Sequence, residues 1–191
     1  MTDCALLRHG AVVGGPCFRG STDDPLTEEG WTQMWHSVKQ QPPWDHIFSS
    51  PLQRCANFAR ELAKRHNTRY TLDARLREIH FGEWEGQTSA NIHASSPTAL
   101  QQFWADPTIY TPPGAEPLLV FQTRVLSCWR MLQHKHQGRR LLLVTHGGVI
   151  RTLLCHVSGH PLARMQELEV GHGALLQLPA SDAIKPPFYG A

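Results

Sequence analysis

Apolar residues along this chain follow two rhythms, and their alternation predicts the fold. Short apolar-rich runs occur as CALL at 4–7, DHIFSS at 45–50, RYTLD at 69–73, RRLLLVT at 139–145 and ALLQL at 174–178. Runs of that length predict strands, and the most continuous of them predict burial on both faces. Between them the apolar spacing turns helical. In DPLTEEGWTQMWHSVKQ at 24–40, Trp31, Met34, Trp35 and Val38 share one face, with Thr27 as N-cap and Glu28 and Glu29 in the first turn. In SPLQRCANFARELAKRH at 50–66, Leu52, Cys55, Ala59 and Leu62 form the apolar face, with Ser50 as cap and Pro51 at the first helical position. A stripe of Leu118, Phe121, Val125, Trp129 and Leu132 predicts a helix over 117–136, and GGVIRTLLCHV at 147–157 predicts another. Strands interleaved with helices predict an α/β fold: a three-layer α/β/α sandwich with a mainly parallel central sheet.

One stretch breaks the rhythm. Residues 79–115 are rich in Pro, Gly, Ser and Thr, with one short helix predicted near 97–105. This reads as an excursion over one end of the sheet, where long loops shape binding sites. No repeat or linker divides the chain, so residues 1–191 read as a single domain. The tail from Pro179 reads as irregular.

Composition narrows the function classes. A formal charge of +2 with scattered basic residues gives no footprint for nucleic acid. No apolar run is long enough to span a bilayer. Five cysteines, an odd count without C-x-x-C, and the absence of a signal-peptide pattern predict a cytoplasmic protein with reduced thiols. Oligomeric state is left open. Twelve histidines raise the question of metal, and Cys155, His156 and His160 are the one grouping with chelating spacing. Gly159 and Pro161 predict that the helix ends within it.

The chemistry collects at strand ends. Ligands in open α/β sheets bind beyond the carboxyl ends of the strands. Arg8 and His9 follow the first strand, Arg54 enters the helix after the second, and His146 follows the strand at 139–145. Gly147 and Gly148 let backbone approach a ligand, and the helix they open offers unpaired N–H groups. Such a site suits a phosphoryl group. A neutral imidazole is a nucleophile towards phosphorus, and neighbouring arginines keep it unprotonated while binding phosphoryl oxygens. Charge on those oxygens must be stabilised in the transition state. LREIHFGEWEG at 76–86 offers Glu78, Glu83 and Glu85 as proton donors, because a carboxyl beside a bound phosphate is favoured in its protonated form.

Six blocks in order, LLRHG at 6–10, GSTDDPLTEEG at 20–30, SSPLQRC at 49–55, LREIHFGEWEG, PPGAEPLLVFQTRV at 112–125 and LLVTHGGVIR at 142–151, resemble the histidine phosphatase superfamily in its phosphoglycerate-mutase-like branch. The resemblance implies His9 as the nucleophile that becomes phosphohistidine. It implies Arg8, Arg54 and His146 as the phosphate pocket and Glu78 as proton donor. Arg19 and Gly20 fall in the segment that lines the substrate entrance. The resemblance implies neither cofactor nor metal, and a small phosphorylated substrate. Within the branch the chain looks most like bacterial α-ribazole phosphatases, which implies α-ribazole 5′-phosphate as substrate. Two departures stand out: Ala11 where Glu or Gln usually follows R-H-G, and Pro117 where Ser or Thr usually follows the glutamate. Four alternatives stay open at this point. They are a phosphatase acting on sugar or acid phosphates, a mutase, a metallohydrolase and a binding protein without turnover. C-x5-R, D-x-D and G-x4-G-K-[ST] are absent, which removes three other phosphate chemistries.

Overall fold

The computed structural model describes residues 2–178. In chain order these form β1 (Asp3–Arg8), α1 (Glu28–Val38), β2 (His46–Ser49), α2 (Gln53–His66), β3 (Arg69–Leu72), α3 (Ser89–Ser95), α4 (Pro97–Ala105), α5 (Leu118–Lys135), β4 (Arg140–Thr145), α6 (Gly147–Ser158) and β5 (Leu175–Leu178). One sheet runs in the order β3-β2-β4-β1-β5. The first four of these strands are parallel, and β5 lies antiparallel against β1. The tail from Pro179 lies outside the described residues.

Period-two alternation builds the sandwich. Leu6, Leu141 and Leu143 point into a layer with Phe121, Val125, Leu132, Ile150 and Leu153 of α5 and α6. Ala5, Leu7, Leu142 and Val144 point the other way, onto Met34, Phe58 and Leu62 of α1 and α2. The expected stripes on those helices are the ones buried, and Trp31 and Trp35 close the edge of the second layer against Phe58. Edge strand β3, in contrast, is exposed along its whole length. No helix among the described residues is long and apolar enough to cross a membrane.

Strand register decides where the chemistry emerges. Arg8 pairs with Thr145 at the end of the β1–β4 ladder, and the His9 amide donates to the Thr145 carbonyl at 3.0 Å. His9 and His146 therefore leave the sheet side by side. Gly10 is needed at the next position because a Cβ there would lie 2.1 Å from the Gly30 carbonyl of α1. Its role is close packing.

Local capping is as expected at Thr27, whose hydroxyl accepts from the Gly30 amide at 3.0 Å. Ser50 departs from expectation. Helix α2 starts at Gln53 with Leu52 at the cap and no side-chain cap bond, and Pro51 precedes the helix. The Ser50 hydroxyl accepts from the Leu52 amide at 3.3 Å, one residue ahead of the helix, and also lies 2.7 Å from His146 Nε2, so it joins the turn before α2 to a tertiary contact. Pro117 occupies the cap position of α5, also without a side-chain bond.

The excursion is more ordered than expected. It holds α4 where the sequence places a helix, and α3 before it, capped by the Thr88 hydroxyl on the Asn91 amide. α3 is short and polar with Ile92 as its buried residue, so it carries little periodic signal. Ile92, Phe18, Trp84 and Leu100 form a separate small core there. Glu85 ties this unit to the 20–22 loop. Its carboxylate accepts from the amides of Gly20, Ser21, Thr22 and Phe81 and from the Thr22 hydroxyl. Burial pushes this carboxyl up. The bonds from Phe81, Thr22 and Ser21 outweigh burial and hold it down at about 2.

Stability should follow that carboxylate. A folded-state value of about 2 against an ordinary 4.5 means that the unfolded chain binds the proton more readily. The contribution is present above pH 4.5 and is lost as pH falls towards 2. Urea unfolding should show Glu85→Gln destabilised at pH 7 by about 1.5–3 kcal/mol, the range for hydrogen bonds to a charged group. The deficit relative to the natural chain should shrink over the acid window; a constant deficit would refute the brace.

Candidate active site

His9 is buried, and its Nδ1 lies 2.8 Å from the carbonyl of Gly10. A carbonyl can only accept, so Nδ1 carries the proton and Nε2 keeps its lone pair. Burial holds the ring well below the ordinary imidazole value. The Gly10 carbonyl pulls the other way, and the charges of Arg54, Arg8 and His172 add to the lowering. The result is a neutral imidazole with a defined tautomer.

Arg54 is fully buried at the start of α2. Its Nε donates to His146 Nδ1 at 3.2 Å, and its two terminal nitrogens donate to the carbonyls of Thr22 and Gly20 at 2.6 and 2.9 Å. A guanidinium has five N–H groups, so two remain. Arg8 donates to the Val170 carbonyl, and its Nε is buried without any partner. Burial lowers Arg8 from the ordinary arginine value. Among the described residues, neither arginine has a carboxylate within ion-pair distance. A buried guanidinium N–H without a protein acceptor suits an anion.

His146 lies with its ring centroid 5.2 Å from that of His9. Because Arg54 donates to its Nδ1, its Nε2 bears the proton and donates to the Ser50 hydroxyl. Burial, followed by the charge of Arg54, keeps this ring far below the ordinary value too. Beneath it Cys55 is buried, its thiol pushed up by burial, which makes it a poor thiolate nucleophile.

Glu78 sits at the N-terminus of α6, where its carboxylate accepts from the Gly148 amide at 2.9 Å and from the Ile79 amide at 3.0 Å. The sequence reading leaves those helix N–H groups open for a ligand; here one of them holds the acid. The glycines serve this arrangement. A Cβ on Gly148 would lie 2.3 Å from Glu78 Oε1, and one on Gly147 would lie 2.9 Å from a terminal nitrogen of Arg151 and 3.4 Å from Arg8 Nε. The neighbouring arginines do not claim Glu78: Arg75 pairs with Asp73, and Arg77 donates to the Ala74 carbonyl. Glu83 is exposed and Glu85 is the loop brace, so of the three glutamates Glu78 is the one beside the basic pocket.

Arg19 and Gly20 act through the loop. The Arg19 guanidinium pairs with Asp24 at 2.6 Å and donates to the carbonyls of Gly15 and Val13. Gly20 presents its carbonyl to Arg54 and its amide to Glu85. Cys155, His156 and His160 do not converge: α6 ends in a left-handed Gly159, and the His160 ring turns to Glu167 and to the Arg164 carbonyl. Among the described residues no group of three or more His, Cys, Asp or Glu side chains is arranged to hold a metal.

Two residues escaped the sequence reading. His172 stands 5.6 Å from His9, ring to ring, at the mouth of the site. Because β5 is antiparallel, the residues before it reach the same rim as the ends of the parallel strands. The signal was present: GHG at 171–173 is a third His-Gly pair beside a strand. Arg151, one turn into α6, anchors its Nε on the Leu168 carbonyl at 2.8 Å and turns its other end towards Gly147.

Known proteins are similar to this chain in sequence and fold. The family model described as "Histidine phosphatase superfamily (branch 1)" matches residues 4–182. The chain is 32% identical over 188 residues to a glucosyl-3-phosphoglycerate phosphatase of Mycobacterium tuberculosis, covering 91% of this chain and 83% of the relative. It is 27% identical over 173 residues to an adenosylcobalamin/alpha-ribazole phosphatase of Salmonella typhimurium, covering 88% and 85%. The solved structure of Bacillus stearothermophilus YhfR superposes with a TM-score of 0.86 at 29% identity, covering 93% of this chain and 90% of that one. With the site geometry and a match over nearly the whole chain, the protein belongs to the histidine phosphatase superfamily.

Proposed function

We propose that this phosphatase hydrolyses small phosphate monoesters through a phosphohistidine formed on His9, with α-ribazole 5′-phosphate as the expected substrate. The single observation that carries the chemistry is the Nδ1–H bond of His9 to the Gly10 carbonyl. It leaves Nε2 as the free nucleophilic atom beside two arginines with spare donors.

The steps follow from the groups present. The phosphoryl oxygens take the free N–H groups of Arg8 and Arg54, which stabilise their charge in the transition state. His9 Nε2 attacks phosphorus, and the P–O ester bond breaks. Glu78 gives its proton to the leaving oxygen and becomes a carboxylate. The Gly10 carbonyl stabilises the positive charge that develops on the ring. Water then attacks phosphorus, Glu78 takes its proton, and the P–N bond breaks with its electrons returning to Nε2. Inorganic phosphate leaves and the site is restored. No step calls on a metal.

The substrate reading rests on the resemblance carried by FRGSTDDPLTEEG at 18–30, FGEWEG at 81–86 and PPGAEP at 112–117, and on the relative that carries the alpha-ribazole name. A glucosyl-3-phosphoglycerate phosphatase of similar identity supports a second reading, hydrolysis of a phosphorylated sugar acid.

His9→Ala should lower turnover of p-nitrophenyl phosphate at least about 10³-fold, as loss of a nucleophile does. It should also remove acid-labile phosphate from the quenched enzyme, while chelators leave the natural chain active. Retained labelling in the variant would place the nucleophile elsewhere. Gly148→Ala should displace Glu78. A correctly placed acid contributes about 10²–10⁴-fold, so kcat for an alkyl phosphate should fall about 10²-fold. The loss should be much smaller for p-nitrophenyl phosphate, whose leaving group needs little protonation. Equal losses on both would mean that Glu78 is not the acid.

A further inference from the structure

His146, which the family resemblance places in the phosphate pocket, has no ring nitrogen left for a ligand. Its Nδ1 accepts from Arg54 at 3.2 Å, and its Nε2 lies 2.7 Å from the Ser50 hydroxyl. A neutral imidazole has one donor and one acceptor, and here both are committed inside the protein. The ring is also fully buried. His146 therefore serves by holding Arg54 in place.

A second imidazole beside His9 has its nitrogens open. The ring centroid of His172 is 5.6 Å from that of His9, with 40° between the ring planes. Reacting atoms approach to about 3–3.5 Å, and an N–H donor reaches an oxygen at about 2.7–3.2 Å. Rings this close can share one phosphoryl group, one meeting phosphorus and the other an oxygen bound to it. His172 is exposed, and among the described residues neither of its ring nitrogens has a hydrogen-bond partner. Its backbone is tied to that of the nucleophile. The Gly173 amide donates to the His9 carbonyl at 3.2 Å, and the Ala174 carbonyl accepts from the Arg8 amide at 3.0 Å. From α1 the Ser37 hydroxyl donates to the Gly173 carbonyl at 2.6 Å. Gly173 has a φ of 69°, and a Cβ there would lie 2.9 Å from Gln33 Cβ, so the turn that carries His172 requires glycine.

Charges face this ring from three elements. Arg8 and the neutral His9 lie at the end of β1, Arg19 in the loop before α1, and Glu29 on α1. Arg19 is paired with Asp24, and Glu29 accepts from Gln33 Nε2 at 2.9 Å. Partial burial, then Arg8 and Arg19, hold His172 below the ordinary imidazole value, and Glu29 opposes them. That balance favours the neutral ring. A phosphate dianion beside it would favour the charged one.

We propose that His172 is a further phosphoryl ligand: it takes a proton from solvent as a phosphate dianion binds, donates from a ring nitrogen to one oxygen, and returns the proton when phosphate leaves. The proposal rests on the reading that Arg8 and Arg54 hold the phosphoryl group beside His9. A singly charged diester gains less from this ligand than a dianionic monoester, so the ring favours monoesters.

Inorganic phosphate, the product, is the probe. Nitrogen-15 NMR of histidine-labelled enzyme, with His172 assigned from His172→Gln, should show its titration midpoint rise by at least about one pH unit when phosphate saturates the site, as an adjacent opposite charge causes. His172→Ala should weaken competitive inhibition by phosphate at pH 6.5 at least about tenfold, the loss expected for a charge-assisted hydrogen bond. The midpoint is higher in the complex, so affinity per phosphate dianion should fall as pH rises from the free midpoint to the bound one. His172→Gln keeps an N–H donor without the charge, and it should flatten that fall. An unmoved midpoint overturns the proposal whatever the variants do, because weaker inhibition alone would mark His172 as a structural part of its turn. Turnover and labelling of His9 would then persist, and the phosphohistidine reading with them. If the natural chain neither binds phosphate nor turns over an ester, the reading of the site fails and this inference fails with it.

Discussion

Arg54 is a cation fully buried from solvent and, among the described residues, without a carboxylate partner. Burying such a charge costs several kcal/mol unless dipoles and hydrogen bonds surround it. Here the compensation comes from the carbonyls of Gly20 and Thr22 and from the ring of His146. One side chain thus binds the 20–22 loop, the start of α2 and the end of β4 to each other. Arg8, with an orphaned Nε, adds a second unfinished cation. In the proposed reaction a phosphoryl group would accept from both guanidiniums.

That constraint explains the histidines. Burial of the rings, with the charges of Arg54 and Arg8 beside them, disfavours an imidazolium and holds His9 and His146 neutral. Neutrality suits His9 to the proposed role of nucleophile, and the Gly10 carbonyl decides which nitrogen is free. The carboxylates divide the remaining work. Glu85, gathered by four backbone amides, is a fixed anion that holds the loop in place for Arg54. Glu78, held at a helix start by the close approach that Gly148 permits, stays beside the basic pocket.

Much of this was legible in the sequence because it depends on local pattern. Strand and helix positions follow from apolar spacing, the cap at Thr27 from local geometry, and the convergence of Arg8, His9, Arg54 and His146 from the rule that strand ends face one rim. Features fixed by contacts distant in sequence were not legible. Ser50 reads as a local cap, and nothing near it in sequence shows that its hydroxyl also meets His146. Glu78 and Glu85 look alike until the 20–22 loop folds onto one of them. The antiparallel hand of β5, which brings His172 to the rim, leaves no mark in a five-residue apolar run. The glycines after His146 read as a turn beside an anion, whereas they make space for a carboxylate and a guanidinium.

Nitrogen-15 NMR of histidine-labelled protein, with His9 assigned by substitution, tests the central claim most directly. The account requires His9 to carry its proton on Nδ1, with Nε2 bare, throughout a titration from pH 8 down to pH 6. A ring protonated on both nitrogens in that interval, or one with its proton on Nε2, would contradict it.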